Sequence, residues 1–189
     1  MQKKPRWGLW IPLGIIAILV LWFVGTYNSL VRLDNSVEEK WAQVENQYQR
    51  RIDLIPNLVE TVKGFASHEK NLFTEITKLR SQWSNAQTRT EQTTAAQGLD
   101  SAVSRLLLVA ENYPQLKSNE NFLALQSQLE GTENRVATER KRYNEDVLAF
   151  NTKIRTFPSS LIAGMFGYQK KDYFQSDEGA DQVPQVQFT

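Results

Sequence analysis

The chain contains no cysteine and a single histidine, His68, in 189 residues. The first absence excludes disulfides, thiolate catalysis, a lipoprotein anchor and cysteine-ligated zinc or iron–sulfur sites. The second leaves any histidine-based metal site short of ligands, and "HEKNL" lacks the second histidine of a zincin, so His68 reads as a surface or capping residue. None of the nine glycines has the spacing of a phosphate or dinucleotide loop. Charge of one sign is also missing: a net +1 gives no global pull toward nucleic acid or acidic substrates. The basic run "ERKR", Glu139 to Arg142, is balanced by Glu133, Glu145 and Asp146 and reads as a solvated face. No spacing brings a nucleophile, a base and an orienting group together. The expectation is therefore a chain with no enzymatic activity, no cofactor or metal, and no nucleic-acid partner.

Charge disappears altogether between Arg6 and Arg32, where "WGLWIPLGIIAILVLWFVG" is long enough to cross a bilayer at about 1.5 Å per helical residue. Residues 7–27 are expected to form a single transmembrane helix, with Trp7, Trp10, Trp22 and Tyr27 as interfacial anchors. A cleaved signal peptide is the alternative, but no A-x-A-like site follows the run. Lys3, Lys4 and Arg6 crowd the short N-terminus (residues 1–6), which favours a cytoplasmic N-terminus and an external domain on the cell inner membrane.

Beyond the span, apolar residues recur at three-and-four spacing at Leu30, Leu33, Val37, Trp41, Val44, Tyr48, Ile52, Ile55, Val59 and Val62, predicting a helix over about 28–63. Gly64 and a possible N-cap at Ser67 separate it from a second helix carrying Leu72, Ile76, Leu79 and Trp83. "SNAQTRTEQTT" reads as a loop, and Leu99, Val103, Leu106 and Ala110 mark a third helix stopped by Pro114. Phe122, Leu125, Leu129, Val136, Tyr143, Val147, Phe150 and Ile154 define a long fourth helix closed by Phe157-Pro158. The expected fold is all-α, a transmembrane helix followed by an up-and-down four-helix bundle over 28–157 with long first and last helices. Three helices would result if the first two were one rod. Residues 158–189 are expected as an apolar, then polar and flexible tail; Leu161, Ile162, Met165 and Phe166 are its membrane- or partner-facing residues, with docking on the bundle itself the alternative.

One stretch breaks its own pattern. In "YQRRIDLIPNLVETVKG" Arg51 falls inside the apolar stripe between Tyr48 and Ile55, while Arg50 and Asp53 point away and can pair. Pro56 removes a backbone donor in mid-helix, so a bend is expected there, or a notch for a partner. If the first and last helices are antiparallel from about Asn28 and Phe157, equal rise makes paired positions sum to about 185. Arg51 then meets the neighbourhood of Glu133, and an Arg51–Glu133 bridge that fixes helix register is expected. An arginine that snorkels to water with its stem packed is the alternative.

"YNSLVRLDNSVEEKWAQVENQYQRRIDLIPNLVETVKGFASHE", "ENYPQLKSNENF", "TENRVATERKRYNEDVLAFNTKIRTFP" and the closing "YF" resemble the LemA family from Tyr27 to Phe174. The resemblance implies a single-span membrane protein with a helical bundle and no established enzymatic activity. It also implies an N-terminus outside, against the charge argument; the inside assignment is kept. The expected function is a membrane-anchored scaffold or adaptor of the bacterial-type cell envelope, self-associating through exposed Trp and Tyr residues and contacting the lipid bilayer and other membrane proteins. A regulator of envelope proteolysis, or a cryptic hydrolase, is the alternative.

Overall fold

A computed structural model describes residues 7–174 of the chain, with side chains from residue 10 onward. Lys3, Lys4, Arg6, the side chain of Trp7 and the tail after Phe174 lie outside the described residues. The described residues are all-helical, with no strand: α1 (Trp7–Lys63), α2 (Lys70–Asn85), α3 (Arg89–Glu111), α4 (Pro114–Lys117), α5 (Glu120–Arg155) and α6 (Ser159–Met165).

The apolar run and the first striped helix, expected as separate elements, are one helix of 57 residues. Nothing between Val24 and Asn28 breaks it, because Gly25 alone weakens a helix by only about 1 kcal/mol. The chain then leaves the helix at Lys63, where Gly64, Phe65 and Ala66 turn back onto Glu60 and Val62 carbonyls. Ser67 is not the cap expected of it; the residue before α2 is Glu69, which makes no side-chain capping bond.

Two further boundaries correct the sequence reading. Most of the threonine-rich segment is helix: Thr88 Oγ1 accepts from the Glu91 amide at 3.2 Å and the Glu91 carboxylate accepts from the Thr88 amide at 3.3 Å, a capping box that starts α3 at Arg89. The third helix does end before Pro114, at Glu111, but Pro114 itself occupies the first turn of a short further helix, α4, where its missing donor costs no bond. Asn119 Oδ1 then accepts from the Phe122 amide at 3.0 Å and opens α5.

The described chain divides into two compact units, residues up to Ala42 with Lys141–Tyr173, and Gln43–Arg140 with Phe174. α1 and α5 contribute to both. In the second unit Ile52, Ile55, Leu58 and Val62 of α1 are buried together with Ile76 and Trp83 of α2, Leu99, Val103 and Leu106 of α3, and Phe122, Leu129 and Val136 of α5. Each such side chain contributes roughly 1.5–3 kcal/mol on burial. α2 and α3 approach closely at Gly98, where a Cβ would stand 2.6 Å from Leu79 Cδ2.

In the first unit, Leu30, Val37 and Trp41 of α1 are buried, as are Tyr143, Val147 and Phe150 of α5. Trp41 and Tyr143 meet edge to face with centroids 5.3 Å apart. Trp41, Tyr48, Trp83 and Tyr143 are buried, whereas Tyr173 keeps 39% exposure.

Candidate functional site

Three charged residues interrupt apolar stripes in the second unit: Arg51 between Tyr48 and Ile55 on α1, Asp100 between Ala96 and Val103 on α3, and Arg140 between Val136 and Tyr143 on α5. Three-and-four spacing makes each a core position, so their charges must find partners inside. Arg51, 6% exposed, places Nη1 2.9 Å from Asp100 Oδ1 and in contact with Glu133 Oε2. Arg140 Nη2 donates to Asp100 Oδ2 at 2.7 Å, and the Tyr48 hydroxyl donates to the same oxygen at 3.2 Å. One carboxylate thus receives two guanidinium groups and a phenol.

Aromatic rings close one side of the cluster. The Arg140 guanidinium lies 4.4 Å from the Phe174 ring centroid and 5.2 Å from that of Tyr48, two rings only 10° from parallel. Trp83 packs on Tyr48 with centroids 5.0 Å apart. On the other side Arg51, Asp100, Arg140 and Glu133 line a cleft of about 420 Å³ together with Ser101, Ser104 and Arg105. The cluster holds two arginines and two carboxylates, so its charge sums to zero, and Arg51 of α1 and Arg140 of α5 share the one carboxylate of Asp100 on α3.

The sequence-expected pair Arg51 and Glu133 is brought together, but Glu133 is the outer partner, with 46% of its side chain exposed against 15% for Asp100. Asp100 and Arg140 are not among the sequence-expected site residues, and Arg140 belongs to the run "ERKR", whose balanced charge reads as a solvated face. A charged residue three and four positions from stripe residues was the available signal in both. Asp53 accepts from Gln49 Nε2 at 2.8 Å. α1 runs through Pro56 without a break.

The first unit carries the segment after α6. Asn151 grips Lys171 by both backbone groups, accepting from its amide at 2.9 Å and donating to its carbonyl at 2.8 Å. The Tyr143 hydroxyl donates to the Asp172 carbonyl at 2.9 Å. Lys171 Nζ lies 2.7 Å from Asp34 and 2.6 Å from Glu38. Burial works against its charge, but the hydrogen bonds it donates to these two carboxylates outweigh it and hold the ammonium above its ordinary 10.5. The tail is therefore not polar and free from Gln169 onward, as its composition suggested; as far as Phe174 it is tied down by backbone bonds that composition cannot reveal.

Of the anchor residues, Trp10 is exposed, Trp22 is partly exposed, and Tyr27 packs on Phe166 with ring centroids 4.6 Å apart. Of the four tail residues, Leu161 and Met165 are exposed and Phe166 is half-exposed. Ile162 is the correction: at 2% exposure it is buried beside Leu30 and Ala163, because α6 turns that face onto its own chain. His68 is exposed. Among the described residues, no group of three or more His, Cys, Asp or Glu side chains is placed to hold a metal.

These features define a class: an all-helical protein in which, among the described residues, one helix is long and apolar enough to cross a membrane. The chain belongs to the LemA family, which residues 40–188 match. Magnetosome protein MamQ 2 of Paramagnetospirillum magneticum is 26% identical over 200 residues, covering 89% of this chain and 74% of the relative. Protein LemA of Metamycoplasma hominis is 25% identical over 164 residues, covering 86% of this chain and 75% of the relative. Magnetosome protein MamQ of Magnetospirillum gryphiswaldense is 23% identical over 210 residues, with 95% and 77% covered.

Proposed function

We propose that this chain is a non-enzymatic, membrane-anchored scaffold or adaptor of the cell envelope, working by self-association and by contact with other membrane proteins. The observation that carries it is α1 itself. Its N-terminal part exposes Ile11, Leu13, Ile15, Ile18, Leu19 and Leu21 outward with no protein cover, and the same helix continues into the buried stripe at Leu30 and Val37. About 20 such residues match a bilayer's hydrocarbon thickness, so the body is coupled to the membrane by a stiff helix rather than a flexible linker.

The long helices α1, α2, α3 and α5 are the elements of an up-and-down four-helix bundle, with Pro56 bending α1 and the Arg51 cluster fixing its register. Their closed charge cluster favours holding shape over turning over a substrate. Exposed Leu108 of α3 and Leu123 of α5 offer apolar contact to neighbours. None of the relatives' names states a reaction. The test is purification of the native complex from membranes, with its members identified by mass spectrometry. Other membrane proteins held at defined ratio support the reading; a chain recovered alone, with a turnover assignable to it, overturns it.

A further inference from the structure

Residues 156–168, "TFPSSLIAGMFGY", carry no charged side chain, and exposed cations bound the segment at Arg155 and Lys170. Within it, α6 is apolar on two faces. Ser159, Ile162 and Ala163 are buried, and Ile162 and Ala163 pack with Leu30, Tyr27 and Ile154. Leu161 and Met165, one helical turn apart, look the other way at 60% and 74% exposure, and Phe157 before the helix is 76% exposed. A surface helix on an aqueous domain turns charge outward on that second face. This one does not.

Two of the exposed residues, Phe166 and Phe157, lie beside one level of α1. Phe166 stands against Phe23 and Tyr27, with ring centroids 6.3 and 4.6 Å away, and Phe157 lines the same groove as Trp22 and Thr26. Phe23 and Tyr27 lie in the last turns of the uncharged run that ends at Arg32, so through Phe166 the apolar surface of that run adjoins α6.

We propose that Phe157, Leu161, Met165 and Phe166 form a collar that enters the lipid–water interface around the exit of α1, with a phospholipid surface as its occupant. This rests on the reading of the apolar part of α1 as a span. Aromatic and apolar side chains sit at the glycerol and upper acyl level, while Arg155 and Lys170 meet headgroup phosphates. The collar gives the body a second membrane contact beside the span and so restrains its tilt and rotation about α1.

The absence of native cysteine permits a clean test on the full chain. Ile18→Cys, Leu161→Cys, Met165→Cys and Leu148→Cys, all at exposed positions, are labelled with a fluorophore in nanodiscs of phosphatidylcholine and phosphatidylglycerol that contain a nitroxide-bearing lipid. Circular dichroism checks that each variant is folded. The collar predicts loss of emission at Ile18, Leu161 and Met165 and none at Leu148. Loss at Ile18 with none at Leu161 and Met165 overturns the collar and leaves the span. No loss at Ile18 overturns both. Energy transfer between copies through Met165→Cys without lipid quenching assigns the surface to a second copy and overturns the lipid. Equal loss at Leu148 removes the localisation on which the collar depends.

Discussion

Asn151 reads Lys171 as a strand partner would: its amide oxygen takes the backbone N–H at 2.9 Å and its amide nitrogen gives to the backbone carbonyl at 2.8 Å. A side chain that satisfies both polar groups of one residue lets an extended segment lie on a helix without a neighbouring strand. Asn151→Ala is expected to release residues 168–173 at a cost of about 1–3 kcal/mol, because two part-buried backbone groups lose their partner. Amide hydrogen exchange checks it: Lys171 should lose protection, whereas the buried helix around Val147 keeps it.

The Lys171 ammonium adds a pH dependence of known sign. Its folded value is raised above the ordinary 10.5 by Asp34 and Glu38. A raised cation stabilises the fold below the unfolded value, and that contribution disappears as pH rises through the folded value. The segment is therefore expected to hold through neutral pH and to loosen above about pH 10.5, the model-peptide value. Near-UV circular dichroism of the wild type against Lys171→Met tests this, since the variant should lack the alkaline step attributable to the lysine.

The Arg51 cluster predicts unequal couplings. Removing Asp100 takes the shared carboxylate from both Arg51 and Arg140, so Asp100→Ala should cost about 3–5 kcal/mol, whereas Glu133→Ala, at a half-exposed position, should cost no more than about 1 kcal/mol. Double-mutant cycles with Arg51→Ala by urea unfolding measure both. Coupling to Asp100 should exceed coupling to Glu133; equal or reversed values would contradict the geometry.

Lys3, Lys4 and Arg6 before the uncharged run are the ground for expecting a cytoplasmic N-terminus. Protease added outside spheroplasts is expected to digest the helical body and spare the N-terminus. Digestion only after lysis would place the body on the other side.

The helical fold was legible because burial writes itself as a three-and-four stripe, and Leu30, Val37, Tyr48, Ile55, Leu99, Leu106, Val136 and Phe150 are buried where their spacing placed them. Thr88 and Glu91 were equally legible as a capping box, but the polar composition around them outweighed the motif. Asp100 and Arg140 show a different failure. Each is an exception within a stripe, and only Arg51 was read as one. The Asn151–Lys171 grip was not legible at all: its partners lie twenty residues apart and the bonds run to backbone, which no side-chain pattern encodes. Ile162 and Leu161 are alike in composition, and only the helix turn on which Ala163 and Leu30 meet decides which of them is covered.

The claim that this chain works as a scaffold is tested most directly by its copy number in a membrane. Native mass spectrometry of the full chain released from nanodiscs, at micromolar concentration, is expected to give two or more chain masses held together. Their dissociation on Leu108→Glu or Leu123→Glu would place the contact on the exposed apolar positions of the body. A strict monomer across that concentration range, with the helical body intact, would contradict the account.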